Sequence, residues 1–231
     1  MSLRFEAVEA RLGDFALRAD LEVPQGARVA VMGPSGSGKT TLLSLVAGFV
    51  APLHGQVTWQ GRDLGPLPPG ARPVSMLFQD QNLFPHLTAA QNVGLGLRPD
   101  LRLDAGQKAA VEAALAAVGL GGLGARKPAQ LSGGQQGRVA LARVMLRERP
   151  ILLLDEAFAA LGPGLKDEML DLLAGIAARS GATVLMVTHD PGDARRFASL
   201  GIVVAGGVAH PPQPLEGLFA DPPPALREWL G

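Results

Sequence analysis

Gly33-Pro34-Ser35-Gly36-Ser37-Gly38-Lys39-Thr40 is the stretch on which the reading of this chain turns. An apolar run, Arg28–Met32, leads into it, and a helical pattern, Thr41–Ala47, leaves it. Strand, glycine-rich loop and helix in that order form a phosphate cradle. The glycines let backbone N–H groups of residues 33–41 close around phosphate oxygens, helped by the positive end of the following helix. Lys39 reaches the β- and γ-phosphates, and the Thr40 hydroxyl suits Mg²⁺. The chain is therefore expected to bind a nucleoside triphosphate.

Outward from the loop, strands alternate with helices. Leu3–Val8, Ala16–Val23, Arg28–Met32 and Gln56–Trp59 alternate like β-structure, and Val74–Phe78 is a short apolar strand. Residues 104–118 carry Val111, Leu115 and Val118 on one helical face, and a second long helix runs over 133–149 up to Pro150. Ile151–Leu154, Thr183–Val187 and Ile202–Ala205 are apolar runs expected as buried parallel strands, with a helix over 165–179 between the first two. The tail from Pro211 holds only short helical pieces. This order predicts an α/β fold with a mostly parallel sheet and a helical block inserted at about residues 85–146.

Bulk properties narrow the classes. The 231 residues are 47% apolar, enough for one packed domain. Lys plus Arg equals Asp plus Glu at 21 each, so nothing in the charge points to a nucleic-acid partner. With no cysteine, disulfides and thiolate metal sites are excluded. No apolar stretch is long enough to span a bilayer, and no secretory leader is expected, so the cytosolic side is the default location.

Four further elements carry chemistry. Ile151–Leu154 ends in Asp155-Glu156, at the strand end where α/β sheets bind ligands. Asp155 suits Mg²⁺ and Glu156 suits a water to be activated. Leu131-Ser132-Gly133-Gly134-Gln135 opens the 133–149 helix, with Ser132 as its N-cap and two glycines allowing close backbone approach. Gln79 follows the strand 74–78 and can reach the metal or the water as a neutral amide. His189 follows the strand 183–187, on the side where a nucleotide would lie.

With these residues in place, the chain resembles an ATP-binding-cassette (ABC) ATPase along essentially its whole length. Walker A stands at 33–40, the Gln loop at Gln79, the LSGGQ motif at 131–135, Walker B at 151–156 and the switch histidine at His189. The stretch Arg72–Gln79, with Asn82-Leu83-Phe84, His86-Leu87-Thr88, Ala90-Gln91-Asn92 and Gly94–Leu97, is similar to the ATPase subunits of bacterial thiamine importers. The resemblance implies a P-loop NTPase (RecA-like) core with an N-terminal antiparallel β-subdomain, spanning about 1–84 and 147–231, and the inserted α-helical subdomain at about 85–146. It implies catalytic roles for Glu156, His189, Lys39 and Gln79. It implies ATP held by Gly33, Pro34, Ser35, Gly36, Ser37, Gly38, Lys39, Thr40 and Thr41 of one copy and by Ser132, Gly133, Gly134 and Gln135 of another, with Mg²⁺ on Thr40, Gln79 and Asp155. A head-to-tail homodimer would dock on an integral-membrane permease at the cytoplasmic face of the bacterial inner membrane, fed by a periplasmic solute-binding protein. Import of thiamine or its phosphates is the expected function. Ferric iron, polyamine, sulfate or molybdate import is the alternative, and a cassette of DNA repair or translation a more distant one.

Four positions depart from the family pattern. Ala159-Ala160-Leu161-Gly162 lacks the acid that usually ends that loop. Ala157 replaces a proline, and Gly137 stands where a glutamine is common. The aromatic that usually stacks on adenine is missing, with Phe15 the nearest aromatic and Arg11 a possible substitute.

Overall fold

The computed structural model describes residues 2–80 and 82–230. In chain order the elements are β1 (Ser2–Leu12), β2 (Phe15–Pro24), β3 (Arg28–Met32), α1 (Lys39–Ala47), β4 (His54–Trp59), β5 (Arg62–Asp63), β6 (Val74–Phe78), α2 (Ala89–Gly94), α3 (Ala105–Ala117), α4 (Gly133–Leu146), β7 (Ile151–Asp155), α5 (Pro163–Ser180), β8 (Thr183–Val187), α6 (Pro191–Phe197), β9 (Leu200–Ala205), β10 (Val208–Ala209), β11 (Gln213–Pro214), α7 (Leu215–Ala220) and α8 (Pro224–Leu230).

One curled sheet runs β5-β4-β1-β2-β10-β9-β3-β8-β7-β6, with β11 added on β9. Strands β9, β3, β8, β7 and β6 are parallel to one another. Their neighbours β2, β1, β4 and β5 pair antiparallel. The sequence explains the division. β7 is apolar over its four buried residues and β8 over residues 184–187, as strands covered on both faces are. β2 alternates buried and exposed residues, as a strand with one wet face does. Register shifts in β1, between Phe5 and Val8 against β2 and between Glu6 and Glu9 against β4, bend the strand where it meets both partners.

The parallel core ends in register. Val31 pairs with Val187, Asp155 with Val187, and Phe78 with Asp155. The residues that follow β3, β6, β7 and β8 therefore emerge along one rim. Leu42, Leu43 and Val46 bury α1 beneath this sheet together with Leu153 and Leu185. On the other face α5 packs Met169, Leu170 and Leu173 against Leu152 and Leu154.

Helices α2, α3 and α4 share a separate apolar cluster around Val93, Val111, Leu115 and Val139. Fully buried Asn92 fastens the preceding loop to α2. Its amide donates to the carbonyls of Phe84, Leu87 and Thr88 and accepts from the Phe84 N–H. Two differences from the sequence reading have local causes. α4 ends at Leu146 rather than 149, because Pro150 disfavours helical backbone at residue 149 and Glu148 turns to φ +48°. α2 and α6 carry too few turns to show a period.

Candidate functional site

The loop from β3 to α1 is shaped by its glycines. A side chain on Gly33, at φ +142°, would strike the Val204 carbonyl oxygen at 2.0 Å. One on Gly38, at φ +108°, would meet the Phe15 ring at 2.7 Å. Gly38 is also the N-cap of α1 and offers no capping side chain. The first N–H groups of α1 are thus left for something outside the helix.

Lys39 is buried, and its ammonium donates to the carbonyls of Gly33 and Pro34, each at 2.8 Å. Burial pulls its pKa down, against the opposing pull of Glu156 and Asp155. Across the cleft, Thr40 Oγ1 donates to Asp155 Oδ1 at 3.0 Å. Burial pushes the Asp155 carboxyl up, with the Thr40 hydrogen bond opposing it. Both shifts mark charged groups short of solvation. A polyanion at Lys39 and a cation at Asp155 would relieve both. Buried Ser37 Oγ, inside the same loop, has no hydrogen-bond partner among the described residues.

The donor set fits Mg²⁺ presented with phosphates. Thr40 and Asp155 supply two oxygens, and among the described residues no group of three or more His, Cys, Asp or Glu forms a cage for a metal ion. Mg²⁺ keeps several waters and takes its remaining oxygens from the nucleotide.

Glu156 and His189 face each other. His189 Nε2 lies 2.5 Å from Glu156 Oε1, joining the ends of β7 and β8. Glu156 sits at φ +50°, a backbone region that a glutamate seldom enters, and its N–H donates to the Val187 carbonyl. A cleft of about 250 Å³ is lined by Phe15, the loop, Thr40, Thr41, Glu156 and His189. Gln79 emerges on the same rim, exposed, and makes no hydrogen bond among the described residues.

Ser132, Gly133, Gly134 and Gln135 do not line this cleft. Ser132 and Gln135 close a capping box at the head of α4. Gln135 N–H donates to Ser132 Oγ at 3.3 Å, and Ser132 N–H to Gln135 Oε1 at 3.0 Å. Gly134 packs on α5, where a Cβ would come within 2.1 Å of Leu165.

Phe15, the aromatic that the sequence reading placed nearest the missing adenine stack, lies beside Gly38 and forms a wall of the cleft, whereas Arg11 does not line it. Sequence reasoning missed one feature. Lys166 joins the turn that carries His189, with its Nζ 2.6 Å from Asp190 and 2.9 Å from Asp193. Only the Val187-Thr188-His189-Asp190 run hinted that an acid follows the histidine.

A family model described as ABC transporter matches residues 17–159, more than half of the chain. The chain is 65% identical over 229 residues to the thiamine import ATP-binding protein ThiQ of Cereibacter sphaeroides, covering 99% of each. It is 57% identical over 230 residues to the protein of the same name from a Ruegeria species, again covering 99% of each. Among solved structures it is similar to the dimeric post-hydrolysis state of the ATP-binding cassette MJ0796 bound to ADP and Pi. That likeness has a TM-score of 0.78 at 30% identity over 92% of this chain and 98% of the other.

Proposed function

The chain belongs to the ABC transporter family, and from that premise we propose that it is the ATP-hydrolysing subunit of a bacterial importer for thiamine or its phosphates. The observation that carries the enzymatic part is the facing arrangement of Lys39, Thr40–Asp155 and Glu156–His189 around one cleft. Thiamine as the cargo is supported by the names of relatives that align over nearly the full chain.

Each residue has a role that follows from where it lies. Lys39 exchanges two loop carbonyls for β/γ-phosphate oxygens, and the α1 N–H groups bind the same charge. Thr40 and Asp155 hold Mg²⁺, which supplies charge neutralisation on the phosphate oxygens when bound. Glu156 Oε accepts the proton of a water placed in line with the γ-phosphate. His189 fixes the direction of that carboxylate and donates toward the γ-phosphate. Gln79, exposed on the rim, reports occupancy of the site to a neighbouring protein. Rate enhancement comes from positioning and preorganised charge.

Ser132, Gly133, Gly134 and Gln135 serve the nucleotide of a second copy, because they lie outside their own chain's cleft. Residues 85–146 act as a helical subdomain that carries this segment. No helix among the described residues is long and apolar enough to cross a membrane. On the importer reading, passage belongs to a separate permease, to which the chain binds peripherally at the inner membrane, in keeping with relatives named as import ATP-binding proteins. Phe49 and Phe84 remain 56% and 46% exposed, and Phe49 stacks toward Phe78 beside Gln79. They supply an apolar face for that contact.

The test is ATP hydrolysis by the chain assembled with its permease, stimulated by solute-loaded binding protein. Stimulation with thiamine and none with ferric iron, polyamine, sulfate or molybdate is expected. Hydrolysis with the reverse selectivity overturns the cargo, and no hydrolysis overturns the enzyme.

A further inference from the structure

Lys166 stands where helix electrostatics disfavour a cation. It lies in the first turn of α5, at the positive end of the helix dipole, and the N-cap Gly162 contributes no side chain. Its own side chain is only 16% exposed. An ammonium so placed needs a partner that outweighs both costs.

The partners are two carboxylates from the head of α6. Lys166 Nζ lies 2.6 Å from Asp190 Oδ2 and 2.9 Å from Asp193 Oδ1. Asp190 Oδ1 accepts the Gly192 N–H at 2.7 Å, capping α6. Asp193 Oδ2 accepts from Thr188 Oγ1 at 3.1 Å, and that hydroxyl accepts the Asp190 N–H at 3.0 Å. Burial pulls the Lys166 pKa down, but the two carboxylate hydrogen bonds more than reverse it, and Asp190 is lowered in return. His189 sits in the middle of this knot, between Thr188 and Asp190, with Nε2 on Glu156. Lys166 and His189 line one cavity of about 320 Å³ with Glu156 and Asp193.

We propose that Lys166 is a positioning residue for hydrolysis: its ammonium fixes the 188–190 turn against α5 and so holds His189 in register with Glu156. The polar partners of Lys166 are Asp190 and Asp193, in the turn, and not the nucleotide loop or Glu156; it acts through the turn. This rests on the ATPase reading above. A built-in comparison exists on the same two helices, since Arg196 on α6 pairs with Asp167 and Asp171 on α5 in an exposed network that does not reach the turn.

The experiment measures ATP hydrolysis by the permease complex carrying Lys166→Met, Lys166→Arg or Arg196→Ala. Lys166→Met is expected to lower kcat by about tenfold or more while the KM for ATP stays within about twofold, the signature of a misplaced group rather than lost substrate binding. Lys166→Arg should restore most of the rate, and Arg196→Ala should remain within about twofold of the wild type. Wild-type kcat in Lys166→Met overturns the proposal. So does an equal loss in Arg196→Ala, which would trace the effect to helix packing, and so does failure of Lys166→Arg to restore any rate. If Lys166→Met does not assemble, Asp193→Asn removes one acceptor at constant volume and should lower kcat by about threefold at unchanged KM; unchanged kcat there overturns the proposal. Failure of the wild-type complex to hydrolyse ATP instead overturns the functional reading.

Discussion

Two helix heads in this chain use the same anion-binding device and leave it in different states. At α1 the N-cap is Gly38, no side chain closes the helix, and Lys39 waits on its own loop carbonyls. At α4 the head is closed by its own capping box, Ser132 with Gln135. The first head is surrounded by everything its chemistry requires, because Thr40, Asp155, Glu156 and His189 converge on it. The second has glycines and an N-cap, and its capping bonds are internal, between Ser132 and Gln135. On the proposed function, an anion brought to α4 comes already bound to another cleft, so that one device is a complete site and the other half of a shared one.

Breaking the complete head has the largest expected effect. Lys39→Ala should abolish both ATP binding and hydrolysis. Glu156→Gln should lower turnover by about 10²–10³ while leaving ATP bound. Filter binding beside an ATPase assay separates the two. Equal loss of binding in both variants would mean that the carboxylate contributes to affinity as much as the loop lysine.

The closed head is broken more selectively by Gly133→Asp. Nothing lies within 4 Å of a Cβ there, so the fold tolerates the side chain. A carboxylate at a helix N-terminus favours the helix yet occupies the anion position. ATP affinity of the isolated chain should be unchanged, while the ATP-dependent dimer of Glu156→Gln should disappear in light scattering. Persistence of that dimer would remove α4 from the shared site.

Phe15 sharpens the contrast further, because it forms an aromatic wall of the α1 cleft. Phe15→Ala should weaken ATP about tenfold, the worth of one base stack of roughly 1–3 kcal/mol, and leave tripolyphosphate binding unaltered. Competition titrations with the two ligands decide it. Since stacking is tolerant of base identity, GTP should compete nearly as well as ATP.

The smallest effect concerns the turn between these regions. Asp190 is held below its ordinary pKa, first by the hydrogen bond from Lys166. A lowered carboxyl adds stability above the unfolded-state value, about 3.9, and that stability is lost as pH falls through the folded value. The difference in Tm between wild type and Lys166→Met should therefore be present at neutral pH and shrink in acid. Asp190 is half exposed, so the difference should be a few degrees at most. A gap that stays constant down to low pH would assign the effect to packing.

Most of the nucleotide side of the molecule could be read from residue order. The Gly33–Thr40 loop needs glycines for its backbone and lysine and threonine for its chemistry, so its purpose is written locally. β3, β7 and β8 could be read because strands covered on both faces carry near-continuous apolar runs, here residues 29–32, 151–154 and 184–187. α2 and α6 could not, being too short to show a period. The pairing of Lys166 with Asp190 and Asp193 was equally hidden, since a lysine near a helix start reads as a solvated charge.

The sequence by itself determined the elements and the chemical type of each rim residue, because loop geometry, strand patterning and helix capping are short-range matters. Only the tertiary structure decided which of them meet. The register of β7 against β8 and β6 sets Asp155 and Glu156 beside Val187 and Phe78, and so brings His189 onto Glu156 across 33 residues of chain. The curl of the sheet lays Phe15 against Gly38, and the packing of α5 on α4 and α6 seats Leu165 on Gly134 and Lys166 on two aspartates. Such contacts depend on strand register and on how helix faces interlock, and no local pattern encodes either.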